Sequence, residues 1–287
     1  MKYMFIEQFR SQYRVERMCH ALDVSRSGYY AWKNRGQSKR ELENEILVKE
    51  IKTIHKQSRL NYGSPRITDA LKDSGYQCSE NKVARLMREN KIKAKIKRKF
   101  RRSSSTVFLS TYAQNILNRQ FNVTAINKVW VTDLTYIWTK EGAIYLAVVL
   151  DLYSRRIVGW AANKQQSSLL AQKALQRAID KRNPDKGLIV HSDRGSQFAC
   201  YAYQEFLNKH GFISSMNRQG NCWDNAVVES FFHTLKMEHV HWCHYQSRSA
   251  AEVSLFDYIE LYYNSYRKHS YLGYKNPAEY ERMQKVS

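Results

Sequence analysis

Asp133 closes the run VWVTD, Asp193 sits in HSDRGSQF, and Glu229 lies in DNAVVESFFHTLKMEH. The first two acids are 60 positions apart and the last two 36, which leaves 35 residues between Asp193 and Glu229. Carboxylates gathered without a cation repel and raise one another's pKa, and a divalent ion relieves that conflict. Hard oxygen ligands suit Mg²⁺ or Mn²⁺. Two such ions about 3.5–4 Å apart activate a nucleophile and stabilise the leaving oxygen of a phosphodiester. The chemistry this triplet points to is therefore phosphoryl transfer. Any single Asp or Glu is more often a cap or a solvated charge. Asp133, however, stands in a β-type run that disfavours Asp, and Asp193 ends an apolar strand, so both need a local reason. Asp151 competes for the first position, and Asp224 and Glu238 compete with Glu229.

The elements that must position these acids follow from patterning. NKVWVTDLTYIW, AIYLAVVLDLY and RRIVGWAA are rich in Val, Ile, Tyr and Trp and are separated by short breaks, which predicts an antiparallel meander. A helix is expected over residues 168–181, then the strand GLIVHS, a helix over 201–210, a strand over 212–215 and a helix over 224–238. Strands first, then strands alternating with helices, describe a mixed sheet covered by helices. Asp193 falls at the C-terminal end of a parallel-type strand, where open α/β sheets bind ligands. On the last helix Asn225, Glu229 and Lys236 share a face, with Lys236 about 10 Å along the axis from the carboxylate and suited to a DNA phosphate. Val227, Phe231 and Leu235 supply the apolar side.

Upstream, the sequence reads as two small helical modules. Residues 1–37 hold a helix-turn-helix pattern in which Ser25 caps RSGYYAWKNR, with Arg26, Tyr29 and Lys33 as candidate DNA contacts. A helical hairpin that packs on the rest of the protein fits that short unit equally. Residues 38–102 hold a long helix and a second helix-turn-helix pattern. Pro65 stands in the first turn of one short helix and Ser79 caps the next, whose Lys82, Arg85 and Arg88 point away from Val83, Leu86 and Met87. A basic tail follows, with eight Lys or Arg between Lys91 and Arg102, among them Lys95, Lys97, Arg98 and Arg101. Residues 103–122 lose charge density and periodicity and read as a linker to a core over 123–240. Residues 241–287 form a C-terminal helical and basic extension packed on that core, with Arg267 and Lys268 expected near DNA.

Composition sets the partner class. Lys and Arg outnumber Asp and Glu by 47 to 26, for a formal charge of +21, so a polyanion is expected and nucleic acid fits the helical modules best. No long apolar run suggests a membrane span or signal peptide. Five scattered cysteines without a C-x-x-C pair indicate neither a disulfide framework nor a zinc ribbon, and a cytoplasmic location is expected. His239, His241, Cys243 and His244 match no standard zinc spacing. Trp223 belongs either to a loop that orders on DNA or to an ordinary buried site. A non-catalytic DNA-binding regulator is the alternative from another class, and its mark would be loss of one of the three acids; all are present.

The segments VSRSGYYAW, YGSPRI, VWVTDLTYI, HSDRGSQF, NCWDNAVVESFFHTLK and YNSYRKHSYLGYKNPAEY resemble those of the OrfB-type transposases of bacterial insertion sequences, whose catalytic core is similar to retroviral integrase. The likeness spans nearly the whole chain. It implies an α/β, ribonuclease-H-like fold with a mixed five-stranded sheet, preceded by all-α helix-turn-helix modules. It also implies a D-D-35-E triad of Asp133, Asp193 and Glu229 holding two Mg²⁺ ions, with Mn²⁺ able to substitute, and Lys236 as the basic residue near the transposon end. The reaction so implied is hydrolysis at the element's 3′ ends, then attack of the freed 3′-hydroxyl on another phosphodiester. Its DNA partners are terminal inverted repeats and target DNA, met by an oligomer assembled on the DNA and nucleoid-associated while bound. Relatives commonly act fused to an upstream OrfA protein carrying a leucine zipper. This chain shows no sustained heptad pattern, so end recognition and multimerisation are expected to draw on such a partner.

Overall fold

The computed structural model describes residues 1–36, 38–95, 112–219 and 222–284. Three short helices open the chain: α1 (Lys2–Phe9), α2 (Val15–Ala21) and α3 (Arg26–Asn34). Ile6, Met18, Cys19 and Tyr29 form their small core. α1 has no counterpart among the expected elements. Its Ile6 fills the centre of this unit, so the pair α2–α3 does not stand alone. The next unit is α4 (Lys39–Gln57), α5 (Ser64–Asp73) and α6 (Glu80–Glu89). Ser38 and Glu41 close a reciprocal capping box at the start of α4, and Ser79 accepts from the Lys82 amide at the start of α6. Leu47, Ile51, Ile67, Leu71, Val83 and Leu86 interlock as the core of this unit.

Five strands follow as one mixed sheet in the order β3-β2-β1-β4-β5. β1 (Val129–Thr139), β2 (Gly142–Asp151) and β3 (Ile157–Asn163) make the antiparallel meander, with Gly142 at φ +99° taking the tight turn between the first two. β4 (Ile189–Ser192) runs parallel to β1, and β5 (Ile213–Met216) parallel to β4. This is the ribonuclease-H-like arrangement that the family resemblance implies. One face is covered by α7 (Ser168–Arg182), α8 (Ser196–Ala199) and α9 (Tyr201–Lys209), through Trp130, Val149, Leu175, Leu207 and their neighbours. α7 lies very close to β3: a Cβ on Gly159 would come within 2.3 Å of the Ala174 carbonyl oxygen, so only glycine fits.

The other face is covered by α10 (Ala226–Glu238) and α11 (Arg248–Phe256), the latter continuing as a π-helical stretch, Asp257–Tyr263. Their Val228, Phe231, Leu235, Leu255 and Ile259 pack on Val131, Leu146, Val148 and Leu150 of the sheet. α12 (Pro277–Gln284) ends the described chain, with Glu281 bridging Arg156 and Arg182. The helical unit α4–α6 is tied to the C-terminal segment. Arg59 makes a bidentate pair with Asp257 (2.6 and 3.1 Å), and the Lys268 amide donates to the Tyr62 hydroxyl (2.8 Å). Within the segment read as a linker, residues 115–117 bond to the core. The Ile116 and Leu117 amides both donate to Ser215 Oγ on β5.

Candidate active site

Strand register brings the first two acids together. Val131 on β1 lies opposite His191 on β4 in the parallel ladder. Asp133 stands two residues further along β1, and Asp193 is the first residue beyond the end of β4. The face of β1 that bears Val131 is the one α10 covers, because Val131 packs with Val228 and Leu235. α10 starts beside β1: Asn225 Nδ2 donates to the Thr132 carbonyl at 3.4 Å, which fixes the helix one residue from Asp133. Glu229 then lies one turn into α10, on the side facing the strand acids. Backbone amides hold both aspartates, Leu134 donating to Asp133 (2.7 Å) and Gly195 to Asp193 (2.8 Å).

Burial pushes the Asp133 carboxyl well above the usual range, the charges of Asp193 and Glu229 push it further, and only the Leu134 amide and Lys236 oppose. Burial raises Asp193 as well. Lys236 is drawn down by burial and held up by Asp133, and its ammonium lies 5.3 Å from the centre of the Tyr136 ring. Behind Asp193, His191 is buried and neutral, hydrogen-bonded to Ser215 Oγ (2.9 Å) and Asn217 Oδ1 (2.8 Å), with burial holding its pKa low. A groove of about 730 Å³ opens here, lined by Asp133, Tyr136, Trp138, Glu229, His233 and Lys236 among others.

The competing acids are occupied elsewhere. Asp151 is fully buried and accepts from the Asn127 and Tyr153 amides (2.8 and 3.0 Å), closing a turn. Asp224 is buried against Arg119 and Arg218, which overcome the cost of burial and hold its carboxyl far below the usual range. Glu238 binds Arg267 through both oxygens and approaches Arg66 at 3.7 Å. At Asp133, by contrast, two other carboxylates, Asp193 and Glu229, add to the cost of burial. The donor set of this triplet, three hard oxygen ligands whose mutual repulsion a cation cancels, fits a divalent ion. Among the described residues no three His, Cys, Asp or Glu side chains converge tightly enough to share one ion.

The DNA-contact candidates divide sharply. Tyr29 is 1% exposed and donates its hydroxyl to Glu7, and Lys33 pairs with the same carboxylate at 3.4 Å, so this helix turns its aromatic face inward. Arg26 remains at the surface, beside Tyr30. Asn225 is 2% exposed, a fastener between α10 and β1 rather than a DNA contact. Arg267 is 5% exposed and committed to Glu238, and Lys268 is spent on Asp69 and Asp73. At Tyr29, Asn225, Arg267 and Lys268, each expected near DNA, the side chain is engaged by an ion pair or core contact inside the protein. Lys82 and Arg85 are half-buried on α6, Arg85 pairing with Glu89, and Arg88 is exposed. Lys95 reaches the Trp242 ring (5.7 Å). Lys97, Arg98, Arg101 and the side chain of Trp223 lie outside the described residues. Sequence reasoning passed over Tyr136 and Trp138. Their alternation on one exposed face of β1 was the available signal, since Trp138 stays 69% exposed in a strand otherwise largely buried.

The class of protein is set by a five-stranded mixed sheet with helices on both faces, preceded by two small helical units. Residues 123–222 and 229–284 match the integrase core domain family, and residues 41–100 match an HTH-like domain. The chain is 38% identical over 283 residues to the transposase InsF of insertion sequence IS3A from Escherichia coli K12, covering 98% of each. It is 41% identical to a 31 kDa protein of insertion element IS600 from Shigella sonnei, covering 92% of this chain and 97% of that one. Among solved structures, the HTLV-2 integrase catalytic core with magnesium is similar, at 19% identity and TM-score 0.42 over 55% of this chain and 97% of that one. The chain belongs to the insertion-sequence transposases with an integrase core and an HTH-like domain. DNA transposition is its work, and polynucleotidyl transfer is the activity that core implies.

Proposed function

We propose that the protein cleaves the 3′ ends of its element and joins the freed 3′-hydroxyl to target DNA, with Asp133, Asp193 and Glu229 as the ligands of two divalent ions. The observation that supports this reading is that Asp193, just past β4, and Glu229 on α10 both push up the carboxyl of Asp133 on the neighbouring β1. Mg²⁺ bound there, or Mn²⁺ in its place, would supply an activated water or 3′-hydroxyl and stabilise the leaving oxygen. Leu134 and Gly195 hold the two aspartates in orientation through their amides, and Asn225 fixes the start of the helix that presents Glu229. Lys236, half-buried at the mouth of the same groove, is placed to hold a phosphate of the strand being cut. Arg88, Lys82, Arg85 and Arg26 with the basic tail supply further phosphate contacts.

The partners in this reading are the terminal inverted repeats and target DNA, an oligomer that pairs two ends, and an upstream OrfA protein; the setting is the cytoplasm. Among the described residues no helix is long and apolar enough to cross a membrane. Incubation of the full chain with OrfA, end DNA and Mg²⁺ should give nicked and joined products. Asp193→Ala should remove both while leaving DNA binding intact. Equal product from that variant would overturn the assignment.

A further inference from the structure

A second cavity, about 370 Å³, opens where α5, the turn between β2 and β3, α10 and the C-terminal segment meet. Its polar lining includes Arg66, Arg155, Arg267, His269, Ser230 and Thr234. Arg155 is 7% exposed. Its Nη2 donates to the Phe121 carbonyl at 3.3 Å and its guanidinium lies 4.1 Å from the centre of the Tyr271 ring. Its Nη1 is buried and has no hydrogen-bond partner among the described residues. The nearby anion is already used: Glu238 takes Arg267 at 2.8 and 2.7 Å and stands 3.7 Å from Arg66. Glu238 thus serves two of the three guanidiniums, and the carboxylate acting on Arg155 is Asp151, which holds its pKa up against burial.

His269 reports the resulting field. Burial, then Arg267, Arg66 and Arg155, drive its pKa well below the usual value, so the imidazole is neutral and adds no counter-charge. A buried cation with an unused donor is costly unless an anion completes it. The cavity offers what a phosphate needs: the unpaired Nη1 of Arg155 for one oxygen, and the hydroxyls of Ser230 and Thr234 for others. Ser230 lies at the surface, so the cavity is open to solvent.

We propose that this cavity is a phosphate-binding site, with Arg155 as its principal ligand. On the DNA-transfer reading, on which this inference rests, the phosphate belongs to a DNA strand lying along α10; free phosphate is the other source of the same chemistry. The test uses the full chain carrying Asp193→Ala, which blocks cleavage, and end DNA in which single phosphates are replaced by neutral methylphosphonates. One position should weaken binding by roughly tenfold, the weight of a charge-assisted hydrogen bond. Adding Arg155→Gln should produce a similar loss and abolish the effect of that one methylphosphonate. Ser230→Ala, a surface change that leaves folding alone, should reduce the same coupling by a smaller factor. In a parallel arm, inorganic phosphate at constant ionic strength should raise the melting temperature of the protein with Arg155 and not of the Arg155→Gln variant. Coupling to a DNA position identifies the strand as the source, and stabilisation by phosphate without coupling identifies the free anion. Absence of both effects overturns the proposal. Cleavage by the Asp193→Ala variant would instead sink the active-site assignment and leave the coupling result standing.

Discussion

At the scale of single residues, the same carboxylate chemistry has opposite consequences at two buried positions. Asp133 is raised by burial and by its acidic neighbours, so its folded pKa exceeds the unfolded one. Its charged form therefore costs stability, and that cost grows as pH rises from the unfolded value through the folded one. Asp133→Asn should stabilise the metal-free protein at pH 7 by about 1 kcal/mol, a typical single-site effect. The gain should shrink as pH falls toward 4, and the variant should lose strand transfer altogether. Thermal melts across pH with a chelator present check the first part. Asp224 behaves in the reverse sense. Its carboxyl is depressed by Arg218 and Arg119, so it contributes stability above the unfolded pKa that is lost as pH falls toward the folded one. Asp224→Ala leaves two half-exposed guanidiniums to solvent and removes the hydrogen bonds from Asn115 and the Arg218 amide, and should cost about 1–3 kcal/mol in denaturant titration at pH 7.

These residues also show what sequence can reveal. The triplet stands out in sequence because two acids interrupt strand patterns, which is a local anomaly. The ion pairs of Arg267 and Lys268 do not, because a basic residue announces its charge but not its counter-ion. The partners of Lys268, Asp69 and Asp73, lie nearly two hundred positions upstream, and no local pattern connects them.

At the scale of elements, helix starts were the most readable features, because a cap is a one-residue signal with a backbone reason. Ser25 and Ser79 cap where spacing placed them. Ser79→Ala should cost about 1 kcal/mol and loosen α6, with amide exchange rising in its first turn. The order of strands was legible as a meander followed by alternating units, but the pairing of β4 with β1 was not, since a four-residue apolar strand fits any interior neighbour. The π-helical turn Asp257–Tyr263 was hidden as well. Its buried Tyr258, Ile259, Tyr262 and Tyr263 also fit one face of a regular helix, so burial spacing predicts a helix there without revealing its wider turn. Asn225 belongs to this scale too. Asn225→Ala should leave DNA affinity within about twofold while lowering the joining rate, because it acts on the seating of α10 and not on DNA, and parallel binding and single-turnover assays separate the two.

At the scale of the molecule, charge is distributed by task. The net +21 is an excess over ion pairs that already consume much of the basic inventory, including Arg59, Arg156, Arg182, Arg267 and Lys268. Arg88 is exposed and is no part of that internal network. Arg88→Ala should weaken binding about equally for all DNA sequences and lower the slope of log K against log salt by about 0.9, the loss of one phosphate contact.

The tie between α4–α6 and the C-terminal segment has a practical consequence for retargeting. Arg59 needs Asp257, Lys268 needs Asp69 and Asp73, and Tyr62 receives the Lys268 amide. The recognition unit is therefore not a detachable cassette, although it precedes the catalytic core in sequence. A chimaera that imports residues 38–95 from a relative should misdock unless residues 257–268 come from the same donor, and the doubly exchanged protein should recover the donor's end preference. Two stretches at opposite ends of the chain form a single inheritable unit.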